Sequence, residues 1–193
     1  MINKLIRVAF RLPWHHAVVR RVLLRPSEIS LTEARFLGEL IRSAPSHLPI
    51  IEIGTLFGWS ARLITLFKAP ETPLITVDSF RWNPHGLTPD QHSRITTESL
   101  EEAIRDYSVT LCEMDKTVFQ SSYDGPSPGV VFLDANHSYQ STKQDIRWAQ
   151  SVGAHVICGH DYSPRFPGVI KAVEECGGIE DMAESLWLLR QSR

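Results

Sequence analysis

Cysteine is scarce in this 193-residue chain, and the three present, Cys112, Cys158 and Cys176, form no CxxC pair. Neither a disulfide framework nor a zinc knuckle is compatible with that odd, dispersed set, and a reducing cytoplasm is the expected location. No run approaches the roughly 20 apolar residues that span a bilayer. The N-terminus also lacks an uninterrupted apolar core with a small-residue cleavage site, so export is not expected. An excess of charge is missing as well: 20 basic against 22 acidic residues leave a formal net charge of −2, which gives no global pull toward nucleic acid or an anionic membrane.

Acids are absent in one place. Lys4, Arg7, Arg11, Arg20, Arg21 and Arg25 precede Glu28, the first acidic residue, and are interleaved with Leu5, Ile6, Val8, Ala9 and Phe10. A basic amphipathic segment of this kind suits a peripheral membrane contact or a partner. The plainer reading is a solvated helix that covers the domain or caps a homodimer. Residues 1–45 are expected to form an N-terminal helical cap and residues 46–193 one compact domain; the 42% hydrophobic content supports a single core of ordinary size.

What is present is alternation. After "SLTEARFLGELI", a helix with Ser30 or Thr32 at its start, apolar strands are expected at 49–53, 74–77, 109–113, 129–133 and 154–159, with helices at 59–68, 92–106, 116–122 and 138–151. A further helix follows Pro167, stops at Gly177-Gly178, and leads to a last strand near Leu186–Leu189. Continuous apolar strands separated by helices imply an α/β fold: a doubly wound, mostly parallel sheet with helices on both faces. The segment 78–93, with Trp82, His85 and His92, breaks the rhythm and reads as a binding loop over an acceptor or as a packed surface loop.

The stretch "IIEIGTLFGWSARLI" places Gly54 and Gly58 where the first strand turns into a helix, the usual cradle for a ligand in such a sheet. Glycine permits a sharp turn and close backbone approach, the N–H groups opening the helix favour an anion, and Ser60 adds a hydroxyl. The spacing is neither GxGxxG nor a P-loop. About 20 residues on, "LITVDSF" ends a strand in Asp78, where a carboxylate can accept from a ribose hydroxyl pair.

Together these two motifs resemble the class I S-adenosylmethionine-dependent methyltransferases, especially small O-methyltransferases with a first motif E-x-G-x-x-x-G-x-S; the resemblance spans roughly residues 48–175. It implies a Rossmann-like methyltransferase fold with S-adenosylmethionine as cofactor. By the resemblance Gly54, Gly58 and Ser60 surround the methionine part, Glu52 orients the loop or the ammonium group, Asp78 holds the ribose, and Met114 and Asp115 of "CEMDK" flank the adenine. On the residues alone, Met114 equally suits the core and Asp115 a helix N-cap.

Two further strands end in polar clusters, "VVFLDANHSYQSTKQDI" and "VICGHDYSPRFPGVIKAV". The pattern D-x-x-H-x-Y followed by H-D-Y looks like the group containing the macrocin and mycinamicin sugar O-methyltransferases. That likeness implies a divalent metal, usually magnesium, at Asp134, His160 and Asp161, with Asp134 also beside the cofactor and His137 the base. His160 departs from the group's acid pair, and imidazole is a poorer ligand for magnesium than a carboxylate. The implied activity is methyl transfer to a hydroxyl of a small molecule, plausibly a sugar or glycosylated natural product. A cephalosporin hydroxylase-like enzyme and a noncatalytic cofactor-binding or interaction module are the alternatives.

Overall fold

Strand residues that face opposite sides of the sheet are buried on both, and that pattern organises the computed structural model, which describes residues 29–82 and 86–191. The elements run α1 (Leu31–Ser43), β1 (Ile50–Ile53), α2 (Trp59–Phe67), β2 (Leu74–Asp78), α3 (Pro89–Asp106), β3 (Val109–Glu113) and α4 (Lys116–Ser122). They continue with β4 (Val130–Leu133), α5 (Tyr139–Ser151), β5 (Val156–Gly159), α6 (Pro167–Cys176), β6 (Ile179–Ala183) and β7 (Leu186–Leu189).

The seven strands form one sheet in the order β3-β2-β1-β4-β5-β7-β6. Strands β1 to β5 are parallel, whereas β7 runs antiparallel to both β5 and β6. This is the doubly wound α/β arrangement expected. In β4, Val131 and Leu133 join Ile51, Ile53, Ile146 and Val173 in one core layer. Val130 and Phe132 join Leu37, Ile64, Leu74 and Leu100 in the layer on the other face. Leu37, Leu40 and Ile41 bring α1 into that second layer.

Chain order reverses between β1 and β4, the place where an open α/β sheet leaves a crevice at its carboxyl edge. Register sets what faces it. Ile53 pairs with both Val77 and Leu133, and Leu133 pairs with Gly159. The next residues continue the ladder: Gly54 N–H donates to Val77 C=O (2.9 Å), Asp134 N–H to Ile53 C=O (2.9 Å) and His160 N–H to Leu133 C=O (3.1 Å). Gly54, Asp134 and His160 therefore stand abreast.

Two elements differ from expectation. Helix α3 begins at Pro89, three residues before the expected start, because Thr88 and Gln91 form a capping box around a proline in the first turn. The signal "TPDQ" was legible, and it shortens the irregular segment. Strand β6, "IEDMA", is an edge strand with no fully buried residue, so it lacks the apolar run that marks the interior strands. The basic segment before Glu28 and His85 lie outside the described residues.

Candidate active site

The glycine turn is built by contact as much as by ligand access. Gly54 has φ +103, and a Cβ there would fall 2.0 Å from the backbone oxygen of Asp134. Gly58, the N-cap of α2, has φ +80, and a Cβ would meet the Leu100 side chain at 2.9 Å. Both positions need glycine before any ligand is considered.

Asp78 closes the turn from the side. Its Oδ2 accepts from the N–H groups of Thr55 (3.0 Å) and Leu56 (2.8 Å), and Oδ1 accepts from Phe80 N–H (2.8 Å). A carboxylate holding three backbone donors fixes the loop in addition to any part it takes in holding a ligand.

Glu52 lies beneath, fully buried at 0% exposure. The Thr76 hydroxyl donates to its Oε2, and Thr55 Oγ1 is hydrogen-bonded to Thr76 Oγ1. Its Oε1 has no hydrogen-bond partner. Burial pushes the carboxyl up to about 7; the nearby hydroxyls of Ser60 and Thr76 oppose that shift, and the charges of Asp134 and Asp78 add to it. A buried acceptor oxygen without a donor, here beside the glycine turn, is uncommon in a protein interior. Nothing in the apolar pattern of the strand announced the Thr55–Thr76–Glu52 relay.

The second half of the crevice gathers around His137. Its Nε2 lies 3.0 Å from Asp161 Oδ2 and 3.5 Å from Asp134 Oδ1, and its ring packs on Phe166 with centroids 4.5 Å apart. Donor atoms of Asp134, His137 and Asp161 all fall within 4.8 Å of one another. The hydrogen bonds to Asp134 and then Asp161 raise the imidazole to about 9 against the opposing effect of burial. At neutral pH it is an imidazolium between two carboxylates. Asp161 reaches this position with φ +62, unusual for a residue other than glycine.

The sequence-derived set is thus partly reassembled. His160, expected among the metal ligands, lies outside the group around His137: its Nε2 turns inward to Glu33 Oε1 (3.2 Å) and Ser185 Oγ (3.1 Å). His137 takes its place beside the two aspartates. Tyr139 and Tyr162, which carry the motif resemblance, donate to Glu175 and Glu174 on α6. Met114 follows β3 and its N–H donates to Asp78 C=O (3.0 Å), while Asp115 is the N-cap of α4, accepting from Thr117. His92, expected in a loop over the acceptor, is buried in α3 between Phe57 and Phe80, at centroid distances of 4.4 and 5.0 Å. Trp82, among the described residues of that segment, is 67% exposed.

Residues 51–162 match the methyltransferase-domain family. No curated protein matches the chain. Among solved structures, the chain is similar to an O-methyltransferase from Bacillus cereus in complex with SAH, at 18% identity and TM-score 0.62 over 90% of this chain and 77% of that one. It is also similar to the O-methyltransferase TomG from Streptomyces achromogenes, involved in tomaymycin synthesis and solved with SAM (18% identity, TM-score 0.60, 89% and 74% covered). A third is CalS11, a TDP-rhamnose 3'-O-methyltransferase of calicheamicin biosynthesis (14% identity, TM-score 0.61, 99% and 93% covered). At these identities the structural likeness speaks for a Rossmann-like fold, while the family match covers more than half of the chain. The chain belongs to the methyltransferase-domain family and is, by that membership, a methyltransferase.

Proposed function

We propose that the protein transfers a methyl group from S-adenosylmethionine to a hydroxyl oxygen of a small-molecule acceptor. The observation that carries the reading is the contact of Gly54 with the backbone of Asp134, which puts the glycine turn and the His137 group on one crevice. The cofactor supplies an electrophilic methyl group on a sulfonium, so the protein has only to align the acceptor and manage its proton.

The residues fit such a cofactor. Glu52 Oε1 is a buried acceptor open to an ammonium or hydroxyl donor. Gly54, Gly58 and Ser60 line the methionine part, Asp78 accepts from the ribose while anchoring the turn, and Met114 and Asp115 border the adenine. Asp134 sits between this half and the chemistry.

His137 is the proton acceptor at Nε2. That nitrogen faces two carboxylates that hold a proton on it up to about pH 9. The imidazole becomes an effective base at neutral pH only when the charge of Asp134 and Asp161 is offset. Two aspartates converging on one point suit a hard divalent cation such as magnesium, held by Asp134 and Asp161, which would supply that offset and polarise the acceptor oxygen. Trp82 offers an aromatic surface to the acceptor. A sugar or glycosylated acceptor is favoured by the D-x-x-H-x-Y pattern and by the likeness to CalS11.

Isothermal titration with S-adenosylmethionine tests the first half of this reading, and no binding at millimolar cofactor would end it. Mass spectrometry of a hydroxylated acceptor panel tests the second: a gain of one CH₂ is expected, whereas a gain of one oxygen would point to hydroxylation.

A further inference from the structure

His160 neighbours Asp161 but takes no part in the group around His137. Its ring is held on the other side, with Nε2 3.2 Å from Glu33 Oε1 and 3.1 Å from Ser185 Oγ, and with Nδ1 3.6 Å from Asp161 Oδ1. Its backbone is fixed as well, since the N–H donates to Leu133 C=O (3.1 Å) and the C=O accepts from Trp187 Nε1 (3.0 Å). On the far side of Asp161, Tyr162 N–H donates to Ser185 C=O (3.0 Å). Both flanks of the left-handed Asp161 are therefore tied to Ser185 or Glu33. A backbone conformation of that kind, which costs about 1–3 kcal/mol, persists only where the surroundings over-determine it.

Glu33 goes beyond helix capping. As the third residue of α1 it accepts Ser30 N–H at Oε2 (2.7 Å), which completes the capping box. A capping glutamate needs only that oxygen and commonly stays at the surface. Here the side chain is buried, and Oε1 also accepts from Ser185 N–H (3.0 Å) and Ser185 Oγ (2.7 Å) and faces His160. Burial would raise its pKa, yet the accepted hydrogen bonds from Ser30 and Ser185 and the charge of His160 leave it lowered. The carboxylate is fully engaged, and carboxylates and imidazoles alternate from Glu33 through His160, Asp161 and His137 to Asp134.

We infer that Glu33, together with Ser185, is a positioning residue for the reaction: by clamping His160 from α1 and from the turn between β6 and β7, the pair holds the Asp161 carboxylate against His137. The inference rests on the proposed role of the His137 group. Glu33→Gln and Ser185→Ala, each verified as folded by circular dichroism, are the variants to compare with wild type. Both are expected to shift the ring carbon–proton NMR resonances of His137, leave those of the exposed His47 and His155 in place, and keep S-adenosylmethionine affinity. Methyl transfer should fall about 10- to 100-fold in kcat, the usual consequence of loosening a support behind reacting groups. Unmoved His137 resonances in both folded variants would overturn the inference, as would a kcat unchanged from wild type in both. If wild type itself bound no cofactor, the proposed function would fail, while the resonance comparison, which needs no substrate, would still decide whether Glu33 and Ser185 position His137.

Discussion

Gly54 and Asp134 meet backbone to backbone across neighbouring strands, so closely that a Cβ on Gly54 would overlap the Asp134 carbonyl oxygen at 2.0 Å. The turn proposed for the cofactor and the strand end proposed for chemistry therefore cannot move independently. Gly54→Ala is expected to cost about 2–4 kcal/mol in urea unfolding, through the clash and the positive φ together. It should also weaken cofactor binding. A variant with wild-type stability and affinity would show that the contact relaxes freely.

Glu52 gives a pH-dependent expectation. Its folded-state carboxyl sits at about 7, above the ordinary value of 4.5, so the folded state keeps a proton that the unfolded chain releases. The resulting penalty grows as pH rises from about 4.5 and is complete above about 7. Glu52→Gln removes it, and the variant should gain stability relative to wild type at pH 8 but not at pH 4. Its S-adenosylmethionine affinity should nevertheless fall by about 1–3 kcal/mol, because a charged acceptor is lost. Urea titrations at the two pH values and calorimetry at pH 8, where the carboxylate is charged, check both signs.

For His137 the sign is opposite. A histidine raised from 6.5 to about 9 contributes stability fully below pH 6.5, and the contribution disappears as pH rises through 9. With a side chain 30% exposed, screening by solvent reduces the effect to on the order of 1–2 kcal/mol. The stability gap between wild type and His137→Ala should be widest near pH 6 and close by pH 10. Without added divalent cation, methyl transfer should rise with pH toward 9. Added magnesium should move that limb to lower pH, and His137→Ala should lower the rate roughly 10²–10⁴-fold. A pH limb that survives in His137→Ala would place the base elsewhere.

Asp78 carries two burdens that substitution can separate. Asp78→Asn keeps the size but turns an amide NH₂ toward backbone donors, so about 1–3 kcal/mol of stability should be lost along with cofactor affinity. Saturating cofactor should then recover less stability than it gives wild type, as read from thermal melts with and without S-adenosylmethionine. Equal recovery in the two proteins would remove Asp78 from the ribose site.

Trp82 and His92 came from the same irregular segment and should now behave differently. Trp82→Ala, at an exposed site, is expected to raise the acceptor's KM with little change in melting temperature. His92→Ala removes a ring packed between Phe57 and Phe80 and should cost about 2–4 kcal/mol in stability. Reversed outcomes would mean that the loop is packed by Trp82 and that ligand reaches the helix.

Much of the fold was legible because β4 and β5 are apolar on both faces, and β1 is so apart from Glu52; only a parallel, doubly covered sheet buries such strands. The strand-end acids were legible for the same reason: polar residues directly after a buried strand must lie at the sheet's edge. The direction of a side chain at that edge was not. His160 and His137 both follow a strand end in the sequence, and it is Glu33 of α1 and Ser185, carried in by the return toward β7, that turn one inward and leave the other facing the crevice. Glu33 announced its capping box through Ser30 but gave no sign of a partner 127 residues away.

That distance has a bearing on how the protein assembles. Gly54, Asp78 and the donors between them lie within 25 residues, so the hydrogen bonds that shape the glycine turn span only nearby chain. The clamp on His160 joins residue 33 to residue 185, a separation of 152, and waits for the β6–β7 hairpin to dock. Contacts of such long range form late and slowly. The hydrogen bonds from Thr55 and Leu56 to Asp78 can therefore form before Ser185 reaches His160, and of the two supports in the crevice the one behind Asp161 is the more demanding of the whole chain.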